Sequence, residues 1–154
     1  MSPRPGTRRI AAQRSVRLGD TELPLSSSLL DDVLDAEQQE YLRLRAELAP
    51  LPPRGERSSM AEKVWQGQIV RVATTLGYYS YHPLLSRFSQ RGWPDLSLLH
   101  EQRRRARWIE CKTDTGELTK EQCRVIVAMR ACGLEVEVFR PWHGLQAVAD
   151  WLTR

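Results

Sequence analysis

The chain switches between stretches where apolar residues recur every three or four positions and shorter ones where they recur every second position. Over residues 26–49, Leu30, Val33, Leu34, Tyr41, Leu44 and Leu48 fall on one stripe at helical spacing, which predicts an amphipathic helix. Ser28 is its expected N-cap, with Asp31 and Asp32 in the first turn, where the helix dipole favours acids. A second helix is predicted over residues 58–76. Val64, Trp65, Ile69, Val72 and Ala73 give its core face, Ser59 and Glu62 have capping-box spacing, and Gly77 stops it. Residues 78–81, 96–99 and 107–111 predict strands, the last two joined by an exposed turn with Glu101, Gln102 and three arginines. Thr119 starts a third helix, with Gln122 completing another capping box, and Gly133 ends it. Residues 134–139 alternate as a strand with Val136 and Val138 on one face. Residues 144–152 close the pattern as a helix with Leu145, Val148 and Leu152 inward.

This order of helix, helix, three strands, helix, strand and helix suits an α/β fold, a mixed sheet flanked by helices on both faces. The helix from Thr119 is its natural crossover. Residues 1–25 read as a basic arm, 26–57 as a helical appendage with a linker carrying Pro52, Pro53 and Gly55, and 58–154 as the core domain.

Composition narrows the class of partner. Over 154 residues, a hydrophobic content of 41% supports a modest core, and a net charge of +4 favours a polyanion. The charge is uneven, because the arginine-rich first nineteen residues contain no acid. Cys111, Cys123 and Cys132 form no CxxC pair, which fits a reduced, intracellular protein. No run is apolar enough to span a bilayer, so the cytoplasm is the default location and no membrane partner is expected.

The chemistry concentrates in residues 91–112. Alternation along a strand places Glu110 and Lys112 on one face and Ile109 and Cys111 on the other. A hairpin brings Asp95, at the entry of one strand, to the exit of the next. Two carboxylates meeting there repel each other unless a cation sits between them, and carboxylate and water oxygens are what Mg²⁺ takes as ligands. Gly92 permits a tight turn and Pro94 fixes the approach to Asp95, while Trp93 reads as a lid packed over the core in preference to a base-stacking residue. Glu62 and Gln66, one helical turn apart, share a face.

These residues resemble the PD-(D/E)XK nuclease superfamily, and more closely its VRR-NUC branch, the virus-type replication and repair nucleases. The resemblance runs from about Ser59 to Pro141. It rests on Glu62 with Gln66, on Gly77, and on Gly92-Trp93-Pro94-Asp95. It continues through Ile109-Glu110-Cys111-Lys112, Gly116-Glu117-Leu118-Thr119, Gln122, Gly133 and Val136 to Arg140-Pro141. It implies a restriction-endonuclease-like core and a metal-dependent DNA endonuclease using Mg²⁺ or Mn²⁺. Asp95, Glu110, Lys112, Gln122 and Glu62 would be catalytic. Asp95, Glu110, Glu62 and the backbone carbonyl of Cys111 would hold the metal.

Arg87, Arg91, His82 and Gln66 are the expected DNA contacts near the site. Charge adds Arg103, Arg104 and Arg105 in the turn, and Arg8, Arg9, Arg14 and Arg17 in the arm. The expected substrate is branched or duplex DNA, with selectivity for structure. Stand-alone relatives that resolve four-way junctions are dimers, and the stripe from Leu30 to Leu48 offers a surface for a homodimer. Two other readings compete: a nuclease fold kept as a DNA-binding or assembly module, and a small regulatory protein working through its basic arm. The complete set of Asp95, Glu110 and Lys112 favours the nuclease.

Overall fold

In the computed structural model the backbone is described for residues 15–18, 21–24, 27–82 and 90–154, and side chains for 35–82 and 90–154. The chain divides into two compact units, residues 1–40 and 41–154. In the first, β1 (Ser15–Leu18) and β2 (Thr21–Pro24) pair antiparallel, with Val16 opposite Leu23. The sequence reading placed this stretch in a basic arm. It passed over two short alternating runs flanking Gly19-Asp20, which is a hairpin signal. Helix α1 (Ser27–Leu48) follows. It begins before Ser28, so Ser28 lies inside its first turn, and that turn holds no acid. The expected N-cap and the acidic first turn are both corrected.

The second unit is built on a four-stranded sheet of order β3-β4-β5-β6. Strands β3 (Tyr79–Tyr81), β4 (Leu96–His100) and β5 (Arg105–Cys111) run antiparallel, and β6 (Glu135–Phe139) joins β5 in parallel. The parallel pair needs a crossover, which α3 (Lys120–Ala131) supplies. Alternation decides the faces. Leu96, Leu98, Ile109 and Cys111 pack under α2 (Glu62–Thr75), through Trp65, Ile69 and Ala73, and under α4 (Gly144–Thr153), through Val148 and Leu152. On the opposite side, Val136 and Val138 meet Cys123, Ile126 and Met129 of α3, with Leu48 and Ala49 closing the layer. Tyr41 and Leu44 pack against this second cluster, and the Tyr41 hydroxyl donates to the Leu118 carbonyl at 2.6 Å. The sheet is therefore mixed and flanked by helices on both faces, as expected from the pattern. Trp65 is 2% exposed, and its indole donates to the Phe139 carbonyl at 3.1 Å. Its loss to alanine would cost about 3–5 kcal/mol.

The helix ends explain several departures from the sequence reading. Helix α2 starts at Glu62 with Ala61 as its N-cap and no side-chain cap. With Ala61 at the N-cap, Ser59 forms no capping box with Glu62, and the Ser58 N–H donates to the Asp114 carboxylate at 2.7 Å. Val64 falls roughly 100° or more round the helix from Trp65, Ile69 and Ala73 and is 55% exposed rather than in the core. Leu145, in the first turn of α4, is also exposed rather than inward. Gly77 (φ 88°) does close α2: its N–H reaches the Thr74 carbonyl and that of Tyr78 reaches Ala73, a Schellman arrangement. Tyr78 is buried and precedes the strand.

Candidate active site

Four local features deliver side chains to one end of the sheet. Asp95 enters just before β4, and Glu110 and Lys112 leave at the end of β5. Glu62 opens α2 and Gln122 lies in the first turn of α3. The turn before Asp95 is set by Gly92, whose φ of 86° suits no bulkier residue; a Cβ there would lie 2.5 Å from the Glu121 carbonyl oxygen. This close approach locks the turn against the start of α3.

Asp95 accepts a hydrogen bond from the Cys111 N–H at 2.8 Å, which ties the entry of β4 to the exit of β5. Glu110 is fully buried. Its Oε1 lies 2.6 Å from Lys112 Nζ and also accepts from the Gln122 side-chain amide. Its Oε2 is buried without a hydrogen-bond partner. Gln122 has two roles at once. Its Oε1 accepts from the Thr119 N–H at 3.0 Å, closing the capping box on α3, while its amide nitrogen holds Glu110. The cap reading of this residue is met, and the same side chain also bonds Glu110.

The electrostatics are those of a site with too many carboxylates. Burial pushes the Glu110 carboxyl up to about 7, Asp95 and Glu62 push the same way, and Lys112 opposes them. Burial also raises Asp95 against the pull of the Cys111 N–H, Lys112 and His82. Glu62 is raised by loss of solvent and by Asp95, with Lys112 opposing. Burial would lower the Lys112 ammonium, but Glu110, Glu62 and Asp95 outweigh it and hold the pKa above its ordinary value. The Cys111 thiol is pushed well up by burial and by the same acids, so it is a poor nucleophile.

A cleft of about 850 Å³ takes in Glu62 and Asp95 of this set but not Glu110, Cys111 or Lys112. Glu62, Gln66, His82, Arg91, Asp95 and Gln122 line it, all drawn from the sequence reading. Lys63, Gln90 and Trp93 also line it and were not foreseen there. Trp93 is 44% exposed, so it is no lid packed over the core. The signal for it was its place between Gly92 and Pro94, a turn that presents a side chain outward. Arg103, Arg104 and Arg105 are not brought to the cleft. They sit at the opposite end of the β4–β5 hairpin, and the seven residues of β5 put Arg105 about 20 Å from Cys111. Arg87 lies outside the described residues, as do Arg8, Arg9, Arg14 and the side chain of Arg17.

The donors suit a hard divalent cation. Among the described residues no three His, Cys, Asp or Glu side chains form a ready ligand cage. Mg²⁺ takes one or two carboxylates and completes its shell with water and substrate phosphate, so a closed cage is not what it needs. The unpartnered Oε2 of Glu110 beside the raised carboxyl of Asp95 is the vacancy in charge and hydrogen bonding that such a cation would fill. No described helix is long and apolar enough to cross a membrane.

Residues 84–141 match the family model described as the VRR-NUC domain. The match covers Asp95, Glu110, Lys112 and Gln122 and leaves Glu62 and Gln66 on its N-terminal side. A VRR-NUC domain implies nuclease-type processing of DNA. No curated protein and no solved structure matches the chain.

Proposed function

We propose that this chain, which carries a VRR-NUC domain over residues 84–141, is a metal-dependent endonuclease that hydrolyses phosphodiester bonds in branched or otherwise structured DNA. One observation carries the reading. A fully buried glutamate keeps one oxygen unpaired while its other oxygen is held by a lysine and by Gln122, and Gln122 and Asp95 line an adjoining cleft. Buried carboxylate oxygens are ordinarily hydrogen-bonded, so an open one here fits a site that takes a ligand.

Asp95 and Glu110, with the Cys111 carbonyl and Glu62 alongside, are the residues that would hold Mg²⁺ or Mn²⁺. The cation supplies Lewis acidity, making water more acidic and drawing off charge that builds on the phosphate. Lys112 keeps its ammonium charged and close to the reacting phosphate, as a compact point charge that can orient water. Gln122 fixes the orientation of Glu110, so its free oxygen faces one direction. Arg91, Lys63, His82 and Gln66 give the cleft donors for phosphate oxygens. A four-way junction presents two scissile strands, and a symmetric dimer would supply a second cleft.

The test is a panel of labelled duplex, flap, nicked and four-way junction DNAs, incubated with Mg²⁺, with Mn²⁺ and with EDTA. Cleavage only with the divalent ion, and none by Asp95→Ala, is the expected result. Full activity in Asp95→Ala would refute the mechanism. Light scattering at micromolar concentration, with paired cuts scored on the junction, tests the dimer separately.

A further inference from the structure

Of the five tryptophans, four are explained by packing and one is not. Trp65 is buried and bonds the Phe139 carbonyl. Trp108 packs on the second core cluster, and Trp142 donates to Glu56 at 2.8 Å. Trp151 lies against Phe139 and under the Arg107 guanidinium, 4.6 Å from the ring centre. Trp93 alone stands in the cleft, 44% exposed. Among the described residues no acceptor meets its indole N–H and no ring stacks on it.

Its backbone is far from loose. The Trp93 N–H donates to the Gln90 carbonyl at 3.2 Å. Gly92 is wedged on the first turn of α3, and Pro94 is buried on the other side. The indole is thus a large flat apolar surface carried on an anchored stretch of backbone, two residues before Asp95. Two residues reach at most about 7 Å, a span of one to two nucleotides. Gln66, Gln90 and His82 border the same cleft with groups that can bond the edge of a base.

We infer that Trp93 stacks on an unpaired nucleobase beside the scissile phosphate, so that the enzyme selects DNA whose nucleotide at the cut is out of the duplex stack. This rests on the endonuclease reading and names what the cleft recognises. A base within an intact duplex has both faces covered by its neighbours. It reaches an indole only if it is extruded, which is easiest at a flap, a mismatch or a branch point. Stacking of this kind tolerates any base, because every base has a π-face, so the selection is for structure and not for sequence.

The experiment separates stacking from cleavage. 2-Aminopurine is scanned one nucleotide at a time through the unpaired arm of a flap substrate, with Ca²⁺ in place of Mg²⁺. The wild type and Trp93→Phe should quench it at one or two adjacent positions, and Trp93→Ala should not. In Mg²⁺, an abasic nucleotide at that position should lower the wild-type kcat/KM by roughly tenfold, mainly through KM, and leave Trp93→Ala unaffected. Trp93 is exposed, so circular dichroism should show Trp93→Ala folded. Cleavage with an identical 2-aminopurine pattern in Trp93→Ala, or an equal abasic penalty in both proteins, would overturn the inference and leave the nuclease standing. Trp93-dependent quenching with no cleavage in any divalent ion would do the reverse. Absence of binding to the flap would overturn the inference outright.

Discussion

The β4–β5 hairpin has two charged ends, and they differ in kind. At the turn, Arg103 and Arg104 are exposed, Arg104 adopts a φ of 52°, and the Arg103 guanidinium donates to the Thr153 carbonyl at 3.3 Å. At the open end, Glu110 and Lys112 are almost wholly enclosed, and the Glu110 carboxyl is pushed up to about 7. The turn holds the longer run of charge, and Arg103 and Arg104 there are solvated, while Arg105 is half-buried with one guanidinium nitrogen out of solvent. The open end has fewer charges, and each one alters the others. Desolvation makes the difference: a charge in water interacts weakly, whereas one taken out of water must be answered by a partner. Substitutions at the open end should therefore change chemistry and stability, and those at the turn only how long DNA stays bound.

Lys112→Ala should show the largest effect. It removes the cation that answers Glu110, Glu62 and Asp95 together. Cleavage should fall by about 10²–10³-fold or more at saturating DNA, the usual loss for one electrostatic partner of a transition state. The measurement is single-turnover cleavage beside circular dichroism, which should show a folded protein. A loss confined to KM would place Lys112 with the turn arginines instead.

Next comes stability against pH without divalent ions. The Glu110 pKa in the folded protein, about 7, lies above the ordinary 4.5. Below 4.5 both folded and unfolded chains hold the proton. Between 4.5 and about 7 the folded chain holds it and the unfolded chain has released it, so stability falls as pH rises through this window. The loss between pH 5 and pH 8 should approach, at most, about 3 kcal/mol, with Asp95 and Glu62 adding in the same direction. Urea unfolding in EDTA measures it, and Glu110→Gln should flatten most of the slope. Mg²⁺ should stabilise more at pH 8 than at pH 5, because it binds the ionised carboxylates. A pH-independent midpoint in EDTA would mean that Glu110 is better solvated than its burial implies.

Gln122 tests whether the two ends of one side chain can be separated. Gln122→Glu keeps the capping-box geometry, since glutamate serves at that position, but places a carboxylate against Glu110. Gln122→Ala removes both bonds. Alanine should cost about 1 kcal/mol of stability through the lost cap. Both variants should lose cleavage, by roughly tenfold, since each abandons a hydrogen bond to a charged group. Glutamate should raise the Mg²⁺ concentration needed for half-maximal activity less than alanine does, because an added carboxylate attracts the ion.

The same contrast explains what could be read from the sequence. The pairing of Asp95, Glu110 and Lys112 was legible because strand alternation and a hairpin fix their relation whatever packs around them. The dual bonding of Gln122 was legible in outline, since Thr119 and Gln122 carry the cap signature. Glu62 was harder: its spacing from Ser59 suggested a cap, but Ala61 is the N-cap, and Ser58 bonds Asp114, a residue 56 positions away, a contact no local pattern encodes. Val64 is outward because it lies off the stripe of Trp65, Ile69 and Ala73 at 3.6 residues per turn. Trp93 was taken for core because tryptophan usually is, whereas its exposure follows from how Gly92 seats on α3. The turn arginines are legible in the sequence as a run of charge in an exposed turn, and charge alone does not say what lies against it.

The turn arginines should give the smallest effect, and it should fall on a different quantity. Arg103, Arg104 and Arg105 lie about 20 Å along β5 from the carboxylates, so none can touch the phosphate being cut. Duplex DNA carries a charge about every 1.7 Å of its axis, so an arm of a branched substrate lying along the hairpin would pass them. Each phosphate contact releases counterions and contributes about 0.9 to the slope of log K against log salt. Arg103→Ala with Arg104→Ala should therefore lower the slope by one to two such steps and weaken binding several-fold at low salt. The rate at saturating DNA should stay within about twofold, because the field of these solvated charges is screened within about 10 Å at 0.1 M salt. A drop in that rate comparable to the Lys112→Ala loss would show that the two ends of the hairpin act as one site. An unchanged salt slope would show that the turn never meets DNA and that its arginines are only a solvated face.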